Sequence, residues 1–287
     1  MRIFLLSFLL LTSLQLTAQE RDTFLIQKGY YNKQNWALRD TGLVYDIIDR
    51  AMALTYTETN RAETLCRAAL SISHTIESSE GRVRSYLALS TVKVYQNQND
   101  SAMYYVKIAE PIAKRGKLKK LQVRCLDQEA VVLAYQERFD RSTEVCFNAI
   151  KKANQLGQKY TMKSKGTLGY VFMKLGNLDR SDDYSQQAFD LGSKYKDTSV
   201  MLGSLNILGL NLKNSGKSDE ALGVFEKALK LSKKANNLQR ESQILYNISN
   251  IYMKRGDSEK GMQYFNESIE ISKKSKSYRS TALNFHA

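Results

Sequence analysis

Proline is all but missing from this sequence: Pro111 is the only one in 287 residues. Helices in this chain must therefore end without the proline stop. Histidine is almost as scarce, with only His74 and His286, and the three cysteines Cys66, Cys125 and Cys146 form no paired spacing, so no metal-ligand pattern emerges. There is no nucleophile elbow, phosphate loop, HExxH or carboxylate pair set apart by spacing. An enzyme is therefore not expected, nor is a cofactor. Acidic residues are also in deficit, with 29 Asp and Glu against 43 Lys and Arg, for a formal charge of +14.

Long apolar runs are absent after the first twenty residues. That start reads Met1-Arg2, then Ile3-Phe4-Leu5-Leu6-Ser7-Phe8-Leu9-Leu10-Leu11, and closes on Leu16-Thr17-Ala18-Gln19. A short cationic opening, an apolar stretch and a small residue before a polar segment make a secretory signal peptide. Thr12, Ser13 and Gln15 interrupt the run before it reaches the roughly 18 to 20 apolar residues of a membrane anchor. Residues 1–18 are accordingly expected to be removed after Ala18, and the product to be exported to the periplasm or the medium. The Leu-x-Ala-Gln junction resembles those of exported proteins of Bacteroidetes. Residues 19–41, with Trp36 as packing anchor, are expected to form an N-terminal cap.

The rest of the chain repeats itself. Gly216 and Gly256 are 40 residues apart, as are Leu208 and Ile248, and Ala228 and Ser268. Leu205-x2-Leu208-Gly209-x2-Leu212, Gly216 and Ala221-x3-Phe225-x2-Ala228 are followed by Leu245-x2-Ile248-Ser249-x2-Tyr252, Gly256 and Gly261-x3-Phe265-x2-Ser268. An upstream copy holds Leu168-Gly169-x2-Phe172, Gly176 and Ala188. Weaker ones hold Leu126, Ala130, Leu133, Cys146 and Ala149; then Tyr86, Leu89, Ala102, Val106 and Ala109; then Ala62, Cys66 and Ala69. The apolar positions at i, i+3 and i+7 draw one stripe along a helix, and the small residues Gly209 and Ala221 let two helices approach closely.

This pattern resembles the tetratricopeptide repeat (TPR), with its W-x2-L-G-x2-Y and A-x3-F signature. The resemblance covers residues 42–287 and implies an all-α, superhelical α-α solenoid. Its repeats are expected to begin near Leu43, Val83, Val123, Met162, Leu202 and Ser242, with a seventh opening near Ala282. The period of about 40 exceeds the family's 34, and the proline that ends the second helix is missing. Long second helices are therefore expected, such as Asp219–Ala235 and Ser258–Lys274. Cys66 and Cys146 fall where Phe225 and Phe265 stand, which reads as core packing. A Cys125–Cys146 bridge stays open. Long-repeat arrays of this format also occur in bacterial peptide-sensing regulators and in kinesin light chains.

Function in such a family comes from a surface. The usual one is the concave groove lined by the first helix of each repeat. At its second, fifth, sixth, ninth, twelfth and thirteenth places the last two repeats carry Asn206, Lys213, Gln243, Tyr246, Asn247, Asn250 and Lys254. An amide offers both donor and acceptor, so it can pair with the backbone of an extended peptide. The family's carboxylate-clamp pattern is incomplete, since Asn247 lacks the matching partners at Asn206 and Leu210. A second feature is a basic ridge of Lys114, Arg115, Lys194, Lys233, Lys234, Lys273 and Lys274 near the ends of second helices. Cations there complement the helix dipole, and they could also meet an anionic envelope polymer or membrane. Nucleic acid is not expected, because no recognition motif accompanies the charge. The leading expectation is a non-enzymatic exported scaffold that binds a protein or peptide. The alternative is the sensory ectodomain of a membrane-bound histidine kinase or helix-turn-helix regulator, because Leu283, Asn284 and Phe285 open a further copy.

Overall fold

The computed structural model describes residues 41–55 and 58–274. The expected signal peptide, most of the expected cap and the opening of a seventh repeat lie outside the described residues. Among those described there are twelve α-helices and one short 3-10 helix, with no strand. They form six antiparallel pairs: α1 (Thr41–Leu54) with α2 (Thr59–Thr75), α3 (Ser79–Tyr95) with α4 (Asn99–Arg115), α5 (Lys119–Tyr135) with α6 (Phe139–Asn154), α7 (Met162–Lys174) with α8 (Leu178–Lys194), α9 (Thr198–Asn214) with α10 (Ser218–Lys234), and α11 (Leu238–Lys254) with α12 (Ser258–Lys274). The all-α solenoid implied by the sequence is the architecture found.

The period has a simple anatomy. In the fifth repeat both helices are 17 residues long, and three residues separate each helix from the next. The extra length over the shorter family repeat is thus shared by both helices rather than lodged in the second alone. The turns explain why no proline is needed. A left-handed residue ends helix after helix: Asn97, Glu137 and Gly216 inside repeats, Lys117, Lys196 and Asn236 between them. At each of these turns the next amide reaches back to the carbonyl five positions earlier, as from Lys217 to Leu212 at 2.9 Å and from Asn237 to Ser232 at 2.9 Å. This bond closes the orphan carbonyls of the last helical turn. One repeat departs from the rule. There α6 is 16 residues, and the 3-10 helix Gln158–Thr161 opens the next first helix.

Packing is set by small residues where the two helices of a pair cross. Ala130 faces Ser142, Gly169 faces Ser181, and Ser249 faces Gly261, each serine hydroxyl donating to the opposing carbonyl at 2.8 Å. Where neither residue is a serine, Gly209 takes the close approach, and a Cβ there would stand 2.6 Å from the Phe225 ring. The core runs along the array instead of gathering at one centre. Leu202, Leu205, Ala221, Phe225, Ala228, Ile244 and Ile248 form one cluster spanning three successive helices, and Leu126, Ala130, Leu133, Cys146, Ala149 and Leu168 form another. No pair buries both of its faces, so each depends on its neighbours.

The small-residue register also moves the first repeat. Val44 is fully buried, as Val83 is, while Leu43 is only partly so. The first repeat therefore starts at Val44 rather than Leu43. All three cysteines are buried and free, so Cys125 and Cys146 do not pair. Burial raises the thiols of Cys66 and Cys125 to about 12.

Two substitutions separate turn geometry from packing. Glu137→Gly is expected to raise the melting temperature by the equivalent of about 1 kcal/mol, since glycine adopts the left-handed turn at no steric cost. Gly209→Ala is expected to lower stability by about 1–3 kcal/mol through overpacking against Phe225. Thermal unfolding followed by circular dichroism checks both.

Candidate functional site

The first helices face a common cleft of about 750 Å³. All six contribute: Tyr45 and Asp49 from α1, Arg84 and Thr91 from α3, Arg124 and Asp127 from α5, Lys163 and Tyr170 from α7, Ser204 and Asn206 from α9, and Arg240 and Gln243 from α11. Such a cleft follows from the pairing, because the second helices pack behind the first ones.

Of the residues that the groove rule selects in the last two repeats, Asn206 and Gln243 line this cleft. Asn247 is buried, and its amide donates to Asn206 Oδ1 at 3.1 Å, so these two side chains bind each other across neighbouring repeats. Gln243 accepts from Arg240 at 2.8 Å. Tyr246 leans on Phe265, with ring centroids 6.4 Å apart. Asn250 and Lys213 are half-buried and Lys254 is exposed. Burial, and then repulsion from Lys254, lowers the Lys213 pKa. None of Lys213, Tyr246, Asn250 and Lys254 is among the residues of the cleft wall.

Sequence reasoning missed the cleft's charged floor. Arg84, Arg124 and Lys163 occupy the second place of the repeats that start at Val83, Val123 and Met162, the same place as Gln243. Carrying the groove rule back to those repeats would have found them. Arg84 is engaged, with its guanidinium 2.7 Å from Glu80 and 4.4 Å above the Tyr45 ring. Arg124 and Lys163 form no salt bridge among the described residues, and solvent reaches both within the cleft. The walls nevertheless crowd them. Desolvation lowers both pKa values, and each is lowered further by a neighbouring cation, Arg84 in the case of Arg124 and Arg124 in the case of Lys163.

Asp127 sits between these cations. It is buried and accepts a short hydrogen bond from Ser164 of α7. Burial raises its pKa to about 6, against the pull of the Ser164 hydroxyl, Lys163 and Arg124. A row of tyrosines completes the wall, with Tyr135 and Tyr170 stacked at 6.0 Å. The arrangement can hold an elongated ligand by aromatic faces and offer it positive charge at mid-cleft. Among the described residues, no group of three or more His, Cys, Asp and Glu side chains is placed to hold a metal ion.

The basic ridge is partly spent within the chain. Lys114 pairs with Glu110 at 2.7 Å, Lys233 with Glu267 at 3.6 Å, and Lys273 with Glu270 at 3.2 Å. Lys194 lies over the Tyr195 ring at 5.5 Å. Arg115, Lys234 and Lys274 end their helices exposed. No described helix is long and apolar enough to cross a membrane.

Six stacked helix pairs around a cleft lined by first helices define a TPR-type solenoid. Residues 59–283 match the model of the SusR N-terminal TPR domain, and the chain belongs to that family. Among curated proteins it is similar to response regulator aspartate phosphatase A of Bacillus subtilis (strain 168), 27% identical over 145 residues that make up 50% of this chain and 36% of the relative. It is also similar to the photosystem I assembly protein Ycf3 of Rippkaea orientalis, 38% identical over 63 residues, 22% of this chain and 35% of the relative. The matched stretch spans about a third of the length of these relatives. Among solved structures the fold is similar to that of NprR in complex with its cognate peptide NprX, with a TM-score of 0.63 at 11% identity, covering 92% of this chain and 77% of that one. It is likewise similar to that of a Rap protein complexed with competence and sporulation factor, with a TM-score of 0.57 at 14% identity, covering 82% and 67%.

Asp127 makes the protein's stability depend on pH. Its folded pKa of about 6 lies above the ordinary aspartate value near 3.9, so the folded state binds the extra proton. The stability this contributes is full below about pH 4 and is lost as pH rises through 6. Asp127→Asn, which never ionises, is expected to gain on the wild type by about 2–3 kcal/mol between pH 4 and pH 7. Melting curves across that range check it, and a pH-independent difference would contradict the assignment.

Proposed function

We propose that this chain is a non-enzymatic binding module that takes an extended peptide, or a peptide-like segment of a protein, in the cleft formed by its first helices. The observation that carries this reading is the cleft itself, continuous over six repeats and lined by tyrosines, amides and cations. Tyrosine gives large contact area at low conformational cost, and amides pair with any backbone. Two solved structures of the same fold hold a peptide or a named factor, NprX in NprR and competence and sporulation factor in a Rap protein. Export to the periplasm follows from the N-terminal segment and belongs to the same proposal.

A second reading has its own support. The matched family is described as an N-terminal TPR domain. In this version the chain is the sensory portion of a longer signalling protein, and ligand binding in the cleft is its input.

Peptide selection tests the binding site. Dodecapeptides selected against the full chain from a random library are expected to lose at least tenfold in affinity on Tyr170→Ala or Asn206→Ala, a loss of about 1.4 kcal/mol. Tyr104→Ala, an exposed tyrosine on the second helix α4, is expected to leave affinity unchanged. Equal binding by all three variants would remove the cleft from consideration.

A further inference from the structure

The second place of three successive first helices carries Arg84, Arg124 and Lys163, all on the wall of one cleft. The acids that share the cleft wall are Asp49 and Asp127, and Arg84 already has Glu80. Arg124 and Lys163 are thus left with no ion-pair partner within 4 Å among the described residues. Like charges held side by side on packed helices repel. A fold gains nothing from that arrangement by itself. One buried carboxylate, Asp127, lies among these cations and is charged above about pH 6, but it is bonded to Ser164, forms no salt bridge with either cation, and offsets only part of the charge of three.

Resting on the peptide-binding reading above, we infer that the cleft selects an acidic segment of a protein or peptide, whose carboxylates are received by Arg124 and Lys163, with Arg84 at the edge of the same strip. The guanidinium of Arg124 presents a planar pair of donors suited to a carboxylate, and Lys163 adds a point charge. Spacing gives the ligand a pattern. Packed helices lie about 8–10 Å apart, and a ligand in the polyproline II conformation advances about 3.1 Å per residue with three residues per turn, so successive cations meet every third residue on one side of it. Tyr135 and Tyr170, stacked further along the same first helices, offer an aromatic face on the same cleft wall at roughly 10–16 Å from the cations.

The test uses the full chain and three fluorescent dodecapeptide series on a Gly-Ser background, with Glu, Gln or Lys at every third position. The Glu series is expected to bind at least tenfold more tightly than the Gln series, to weaken as salt rises from 50 to 300 mM, and to outcompete the Lys series entirely. Arg124→Gln and Lys163→Gln are each expected to cost the Glu series threefold to tenfold while the melting temperature holds or rises, because each removes a repulsion. The double change Arg124→Glu with Lys163→Glu is expected to reverse the preference to the Lys series. Equal binding of the Glu and Gln series overturns the inference. So does a Glu preference that survives the double change, or one abolished by neutralising Arg115, Lys234 and Lys274 instead. If library-selected peptides of no particular charge occupy the cleft, the acidic selectivity fails while the peptide-binding reading stands.

Discussion

The close crossing of two helices at one small residue per helix governs everything else in this molecule. Glycine, alanine or serine at Ala130, Gly169, Gly209 and Ser249, and at Ser142, Ser181, Ala221 and Gly261 opposite, brings each pair into backbone contact. Serine keeps the approach close and adds a hydrogen bond to a carbonyl that already has a helical partner. Larger residues fill the space on either side of the crossing. The fourth position beyond it is Val106, Cys146, Ser185 or Phe225, and its volume varies while the crossing stays small. Local exchange of volume between facing positions lets diverged repeats stack without breaking the array.

From that crossing the cleft follows. First helices sit side by side on one surface, so any place on the repeat becomes a strip running across the array. A charge at the second place is then repeated along the cleft, and an aromatic near the end of the helix becomes part of a tyrosine wall. Function in such a fold is linear, and it is written across repeats rather than within one. The cations of the strip differ from those of the ridge in this respect. Lys114, Lys233 and Lys273 on the second helices find acids on their own or neighbouring helices, whereas Arg124 and Lys163 face the cleft.

Much of the fold was legible because it rests on periodicity. The positions of Gly209, Ala221, Phe225 and Ala228 define a repeat, and counting by 40 finds the rest. The step of 39 from Val123 to Met162 already shows one residue missing from the third repeat, and its cause is the shortened α6 with the 3-10 turn that follows. The one-residue shift of the first repeat to Val44 was not visible by counting. The even lengthening of both helices was hidden too, because Asn97, Glu137 and Lys117 make left-handed turns without the glycine that marks such a turn in sequence. The site was less legible than the fold. The groove rule was sound, but the last two repeats attracted it by their clear consensus, and there the amides of Asn206 and Asn247 engage each other. The charged strip lies in the weaker repeats, where Arg124 and Lys163 stand.

Hydrogen exchange read by mass spectrometry, on the full chain with and without a selected peptide, tests most directly the claim that a ligand lies across the first helices. The account predicts added protection in segments 84–95, 124–135, 162–170 and 203–210, with the second helices α4, α6 and α8 unchanged. Protection concentrated on those second helices, or spread evenly over the array, would contradict it.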